Sequence, residues 1–74
     1  MTNEDKEAVL RLAGYVFVKC ERPDGMPSWD WNWFDAENEW KETSEIYHQM
    51  KREAVEDAWL TMAERLDIPK ELII

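Results

Sequence analysis

Tryptophan occupies every second position of one short segment, at Trp29, Trp31 and Trp33. In an extended strand successive side chains point to opposite faces, so these indoles share one face. Each indole buries on the order of 200 Å² when it packs. The segment therefore predicts either the core of a very small domain or an aromatic surface that meets a partner.

The length of the chain makes the first of these roles important. Its 74 residues are expected to form a single domain over residues 1–74, and a chain this short buries only about 60–65% of the surface that its unfolded form exposes. Cys20 is the only cysteine, which excludes an internal disulfide and a cysteine-based zinc site. We expect the tryptophans to supply the buried area instead.

The middle of the chain predicts an antiparallel meander of two or three strands. Residues 15–20 are rich in β-branched and aromatic side chains, with apolar residues on both faces. Residues 28–34 alternate with period two, and residues 39–42 form a short third strand. The turns at 22–27 and 35–38 are too short for crossover connections, so neighbouring strands run antiparallel.

Helices are predicted on both sides of this meander. The first is capped by Thr2 or Asn3 and ends at Gly14, with an apolar stripe formed by Ala8, Val9, Leu12 and Ala13. A long C-terminal helix is predicted from about residue 50 to 66, and its stripe repeats at helical spacing through Ile46, Met50, Ala54, Ala58, Met62 and Leu66. Residues 44–49 fit either its first turns or an extended connection. The predicted fold class is α+β.

Acidic side chains are concentrated in one third of the chain. The net charge is −8, and residues 21–45 carry eight acidic and two basic side chains, a net charge of −6. Direct binding to nucleic acid is disfavoured because phosphates require clustered cations, whereas a basic protein surface would be attracted. The candidate partner-binding residues are Asp30, Asp35, Glu37, Glu39 and Glu42, with Trp33 and Trp40.

Catalytic and metal-binding patterns are incomplete. His48 is the only histidine and Cys20 the only thiol, whereas a nucleophilic site needs a base beside the nucleophile and a third group to orient it. The run Asp30-x-Asn32 resembles the start of a calcium loop, but Asp35 stands where that loop requires glycine. We therefore expect no enzymatic activity, no cofactor and no metal.

The compartment expected for this chain is the cytoplasm. The residues around Glu4 and Asp5 include no apolar run long enough for a signal peptide or a membrane span. One unpaired thiol, that of Cys20, suits a reducing environment. No contact with membranes is predicted.

Parts of the chain resemble small uncharacterised acidic accessory proteins of bacteriophages. The similarity rests on the aromatic hairpin of residues 29–34 and 39–42 and on the helical run Arg-Glu-Ala-Val-Glu-Asp-Ala-Trp at 52–59. It covers about half of the chain and includes no catalytic motif. The resemblance implies a short cytoplasmic protein made during infection, of a kind that often blocks host enzymes or defence systems.

Two functions therefore follow as hypotheses. The first is a small acidic, tryptophan-rich interaction module that binds a basic protein surface or a nucleic-acid-binding protein, as an inhibitor or by imitating the charge of nucleic acid. The alternative is a structural subunit that pairs with itself as a homodimer, through an uncovered sheet face or the tail Leu72–Ile74, with its acidity serving solubility. The exposure of the tryptophans and the distribution of the carboxylates discriminate between them.

Overall fold

The helices and strands begin and end close to the capping and turn residues of the sequence. The computed structural model describes residues 1–68. Along the chain these form α1 (Asn3–Leu12), β1 (Tyr15–Glu21), β2 (Pro27–Phe34), β3 (Trp40–Thr43) and α2 (Lys51–Arg65). The strands make one antiparallel sheet in the order β1-β2-β3. The α+β class is confirmed, whereas the C-terminal helix that was predicted to be long has 15 residues. The predicted docking of Leu72–Ile74 concerns residues outside the described range.

Helix α1 is closed at both ends by residues that the sequence identified. The Thr2 hydroxyl accepts the Asp5 N–H at 3.1 Å, and the Thr2 N–H donates to the Asp5 carboxylate at 3.3 Å, which forms a capping box. After the helix, Gly14 adopts a φ of +102° and its carbonyl accepts the Phe34 N–H at 2.9 Å. A Cβ at this position would collide with the Phe34 carbonyl oxygen. Only glycine therefore allows the backbone after α1 to approach the end of β2 this closely.

One face of the sheet forms the core, as the alternation of the tryptophans predicts. Tyr15 pairs with Trp33 and Phe17 pairs with Trp31 across β1 and β2. Tyr15, Phe17 and Trp31 are buried, and Trp29 and Trp33 pack against them as half-buried rings. The Tyr15 ring centroid lies 5.4 Å from that of Trp31. Aromatic packing therefore supplies much of the core of this small domain.

Helix α2 faces these rings with small side chains. Ala54, Val55, Ala58 and Ala63 are buried together with Met62, so the helix backbone can approach the large aromatic residues of the sheet closely. Trp59 lies half-buried at the margin of the core, with Lys6 Nζ 5.9 Å from its ring centroid. Large side chains on the sheet and small ones on the helix are complementary in volume.

The predicted stripe of the second helix is too long at both ends. Ile46, Met50 and Leu66 are 64%, 53% and 59% exposed. Residues 44–49 are not helical, because the His48 backbone makes a bridge to Trp29 of β2 instead. The two hydrogen bonds of this bridge hold His48 beside β2, and residues 45, 46 and 49 are bends. Residues 44–49 are thus a connection, extended only at His48, and not the first turns of the helix.

The predicted apolar stripe of α1 is wrong. Leu12 is 90% exposed and Val9 is 38% exposed, whereas Leu10 is fully buried. The side of α1 that meets α2 is polar apart from Leu10: Lys6 pairs with Glu56 at 2.8 Å and Glu7 with Lys51 at 2.9 Å, and Asn3 donates to the Arg52 carbonyl at 3.0 Å. Ion pairs around the single buried apolar side chain Leu10 therefore orient α1 on α2.

Both helices lie on the same face of the sheet. Leu10 of α1 belongs to the core cluster that contains Phe17 and Trp31, so α1 does not cover the opposite face. On that opposite face Val16, Val18 and Trp40 are 41%, 39% and 54% exposed.

Candidate functional site

A groove runs between β3 and α2 on the helical side of the sheet. Helix α2 packs mainly against β1 and β2, and α1 packs against α2 and β1, so β3 extends beyond the helical layer. The resulting groove has a volume of about 470 Å³ and reaches the ring of Trp31. Its position follows from an arrangement in which the helical layer is centred on β1 and β2.

One wall of the groove is a single stripe of α2. Asp57, Leu60, Thr61 and Glu64 line it, at positions i, i+3, i+4 and i+7, which lie on one side of a helix. The stripe extends over two turns, about 10.5 Å along the axis. Acidic residues stand at both ends, and Leu60, which is 41% exposed, lies between them.

The other wall comes from β3 and the segment after it. Glu42 and Thr43 of β3 and Glu45 and Ile46 of the connecting segment line this side. Glu42 extends from the same face as Trp33, its partner across β2 and β3. The Ile46 side chain, 64% exposed, faces the groove from the side opposite Leu60.

The groove is strongly acidic. Within residues 1–68, the part of the chain that the structure describes, Glu42, Glu45, Asp57 and Glu64 line it, and no Lys or Arg does. Among residues 1–68, the ion pairs involve neither Glu42 nor Glu45 nor Glu64, and of the four groove carboxylates only Asp57 has a basic partner, His48. Four carboxylates around a narrow groove repel one another and raise the negative potential inside it.

Asp57 connects the groove to the core. Trp31 Nε1 donates to Asp57 Oδ2 at 2.9 Å, and His48 Nε2 lies 3.0 Å from the same oxygen. This carboxylate therefore satisfies the buried indole N–H, which would otherwise be left without an acceptor. It also ties the connecting segment to α2.

The connecting segment is held against β2 at two points. The His48 N–H donates to the Trp29 carbonyl at 2.9 Å and the Trp29 N–H to the His48 carbonyl at 2.6 Å. The Ser44 N–H donates to the Trp31 carbonyl at 3.0 Å, and the Ser44 hydroxyl donates to Asp30. The wall that presents Glu45 and Ile46 is thus fixed on both sides.

Three of the predicted partner-binding residues lie in the turn between β2 and β3, away from the groove. Asp35 Oδ1 accepts the N–H groups of Glu37 and Glu39 at 2.9 and 3.0 Å. These hydrogen bonds, led by the one from Glu39, lower the pKa of the Asp35 carboxyl. Lys41 Nζ lies 3.2 Å from Glu39 and 3.5 Å from Asp35. The turn is therefore partly neutralised, and Asp35 serves to form it.

Asp30 and Glu42 lie on opposite faces of the sheet. Asp30 pairs with Val18 on the face away from the helices, where it accepts the Ser44 hydroxyl. Of the predicted carboxylates only Glu42 lines the groove. The predicted acidic residues are consequently divided among the turn, the open face and the groove, so they do not form the single continuous patch that would favour docking through them.

The two predicted tryptophans are also separated. The Arg65 guanidinium lies 3.6 Å from the Trp33 ring centroid, and Trp33 Nε1 donates to the Ala13 carbonyl at 2.9 Å. Trp40, 54% exposed, lies on the open face, where its Nε1 donates to Asn32 at 3.1 Å. Trp33 is thus engaged within the fold, and Trp40 is the more accessible ring.

The sequence analysis missed most of the groove. Glu45 lies in the acidic segment but was not among the predicted binding residues, and neither were Asp57, Leu60 and Glu64. The signal that was present in the sequence is the spacing of Asp57, Leu60, Thr61 and Glu64 along α2. Nothing in the sequence indicated that β3 lies opposite this stripe.

Other kinds of site find no support in the described part of the chain. Across residues 1–68 there is no group of three or more His, Cys, Asp or Glu side chains arranged to hold a metal ion. Neither helix within this range has the length and apolar composition needed to cross a membrane.

Comparison of the chain with protein-family models, with curated proteins and with solved structures finds no match. The similarity to bacteriophage accessory proteins therefore stays a prediction from the sequence.

Proposed function

We propose that this protein is a non-enzymatic interaction module that binds a basic segment of a partner protein in the groove between β3 and α2. The observation that carries the proposal is the lining of that groove by the described residues, 1–68: four carboxylates and no Lys or Arg, around the exposed side chains of Ile46 and Leu60. An arginine- or lysine-containing segment supplies the missing charge. Leucine-like side chains on the same segment cover the two aliphatic residues.

The groove is better suited to this role than the turn between β2 and β3. In the turn, Lys41 pairs with Glu39 and Asp35, so part of the negative charge is already compensated. In the groove, low-dielectric walls concentrate the field of the carboxylates and strengthen their attraction for a cation. A complex formed there buries apolar area as well as charge, which slows its dissociation.

A blocking role is the finer form of this proposal. Proteins that bind nucleic acid carry clustered cations for phosphates, and a set of carboxylates can occupy such a cluster by offering similar charge. The resemblance to bacteriophage accessory proteins implies a blocking role as well, directed at host enzymes or defence systems. The acidic composition of the chain supports a partner of this chemistry.

Self-association is the second candidate, and one observation favours it. The face of the sheet away from the helices exposes Val16, Val18 and Trp40, and two copies could pair through it. Sedimentation at several protein concentrations separates the two proposals, since self-association gives a mass that rises with concentration. A monomer at all concentrations leaves the groove as the docking surface.

The test of the proposed function is a map of where a basic peptide binds. The probe is a short peptide of arginine, leucine and alanine, titrated into ¹⁵N-labelled protein while amide chemical shifts are followed. We expect the largest changes at Thr43, Glu45, Leu60 and Thr61, with smaller changes at about 0.5 M salt because the Debye length shortens. Changes centred on Glu37 and Glu39, or spread evenly over the chain, contradict the proposal.

A further inference from the structure

We infer that the partner segment binds as an amphipathic basic α-helix, which packs over β3 beside α2 as a third helix on the sheet. This inference rests on the proposed function and adds to it the conformation and residue pattern of the ligand. It follows from three features of the groove: its place over β3 beside α2, the spacing of its lining residues and the order of charged and apolar side chains along it.

The uncovered position of β3 suits one further helix. Helix α2 packs against β1 and β2, and β3 follows β2 at the edge of the sheet. Neighbouring strands lie about 4.8 Å apart, and packed helices usually lie about 8–10 Å apart between axes. A helix that packs beside α2 on the side of β3 is therefore displaced by about two strand spacings and covers β3.

The spacing along α2 also fits a helical ligand. The groove stripe of Asp57, Leu60 and Glu64 extends over about 10.5 Å, and a partner helix presents its own residues i, i+3, i+4 and i+7 with the same repeat. In an extended segment, side chains on one face recur every 6.6–6.8 Å or so. Because a span of about 10.5 Å is not a multiple of this repeat, an extended ligand cannot place one cation opposite Asp57 and a second cation on the same face opposite Glu64.

The order of side chains along the groove defines the sequence pattern of the ligand. Acidic residues stand at each end of the α2 stripe, at Asp57 and Glu64, with Leu60 between them. Across the groove Glu42 and Glu45 add negative charge, and Ile46 adds apolar surface. The complementary helix carries Arg or Lys at i and i+7 and Leu-like residues at i+3 and i+4, the pattern of a helix that binds in a groove.

The experiment compares two peptides that share these side chains. The first has Arg at i and i+7, Leu at i+3 and i+4, and Ala or Gln elsewhere; the second has proline at a central position on the solvent side, which breaks the helix. Binding is measured by calorimetry, and helix content by circular dichroism of the free and bound peptides. We expect the first peptide to bind at least about tenfold more tightly and to gain helicity in the complex.

Two protein variants locate the contact. Leu60 and Val16 are both 41% exposed, but Leu60 lines the groove and Val16 lies on the opposite face of the sheet. Leu60→Ser should weaken binding of the helical peptide by roughly tenfold, and Val16→Ser should leave it unchanged. Thermal melts of both variants check that the fold is retained.

Three outcomes overturn the inference. If the proline peptide binds as tightly as the helical one and Leu60→Ser weakens both, the groove binds basic segments but not as helices, and the proposed function survives. If neither peptide binds, the proposed function falls as well. If Leu60→Ser lowers the mass of the protein alone in sedimentation, the groove is covered by a second copy of this chain.

Discussion

The indole of Trp31 and the carboxylate of Asp57 are joined by a hydrogen bond of 2.9 Å between Nε1 and Oδ2. Trp31 is 2% exposed at the centre of the sheet, and Asp57 belongs to the groove wall of α2. A carboxylate that lines the proposed binding surface is therefore also part of the core. The same oxygen lies 3.0 Å from His48 Nε2, so one residue couples three elements of the fold.

Replacement of Asp57 tests this coupling. Asp57→Ala leaves the buried Trp31 N–H without its acceptor, and we expect a loss of about 1–3 kcal/mol in the free energy of unfolding. Glu64→Ala, on the same exposed stripe of α2 but without an ion pair in residues 1–68, should stay within about 0.5 kcal/mol of the wild type. Urea titrations followed by tryptophan fluorescence measure both, and equal midpoints for the two variants contradict the assignment.

Substitution by alanine should lower the free energy of unfolding by different amounts at the two glycines. At Gly14 a methyl group combines positive φ with a collision against the Phe34 carbonyl, and we expect Gly14→Ala to lower the free energy of unfolding by roughly 2–5 kcal/mol. At Gly25, with a φ of +80° and nothing within 4 Å of the added carbon, the cost is only the backbone strain, about 1–2 kcal/mol. Denaturant unfolding of both variants measures the difference in free energy of unfolding. If Gly14→Ala is as stable as Gly25→Ala, the close approach of Gly14 to the Phe34 carbonyl is contradicted.

The contact between the two helices predicts a loss of stability in acid. The Lys6 ammonium lowers the pKa of Glu56, and the Lys51 ammonium lowers that of Glu7, each from an ordinary value of 4.5. A carboxyl whose pKa is lower in the folded state contributes stability above its unfolded pKa, and this contribution disappears as the pH falls through the folded pKa. The urea midpoint should therefore fall as the pH drops below about 4.5.

Two variants check the source of this pH dependence. Glu56→Gln removes one of the carboxyl groups whose pKa is lowered by folding, so its urea midpoint should vary less steeply with pH in this range. Glu4→Gln, at an exposed position in the first turn of α1, should follow the wild-type curve. If the urea midpoint of Glu56→Gln falls with pH as steeply as that of the wild type, the loss of stability in acid does not come from Glu56.

The tryptophans differ in what they contribute to stability. Trp31→Ala empties a buried aromatic site and should cost roughly 3–5 kcal/mol, enough to unfold much of a domain of ordinary stability. Trp40 is 54% exposed on the open face, and Trp40→Ala should change the free energy of unfolding by less than about 1 kcal/mol. Calorimetric melts of the two proteins measure this difference, and similar losses for both contradict the assignment of the core face.

The sequence predicts most of the fold because its local signals are strong. Period-two alternation fixes the face of Trp29, Trp31 and Trp33, and Gly14 marks the end of the first helix. The errors arise where tertiary contacts outweigh local pattern. Leu12 fits an apolar stripe but is exposed, because ion pairs of Lys6 and Glu7 turn the other side of α1 toward α2.

The candidate site is less predictable than the fold. The concentration of acid in residues 21–45 is visible in the sequence, yet the groove combines Glu42 and Glu45 of that segment with Asp57 and Glu64 of α2. Which carboxylates meet depends on how far β3 extends beyond the helical layer, and no local pattern encodes that distance. Residues 44–49 illustrate the same limit, because Ile46 and Met50 continue the helical spacing while the bridge between His48 and Trp29 holds His48 beside β2.

The most direct test of the account compares two double charge reversals of equal net charge. Glu45→Lys with Glu64→Lys reverses the charge of two of the four groove carboxylates. Glu37→Lys with Glu39→Lys makes the same change of charge in the turn between β2 and β3. All four positions are exposed. The measurement is the dissociation constant of each protein for the helical arginine–leucine peptide at low salt. We predict that the groove variant binds at least roughly tenfold more weakly, about 1.4 kcal/mol, while the turn variant stays within about threefold of the wild type. Equal losses for the two variants, or a larger loss for the turn, contradict the account.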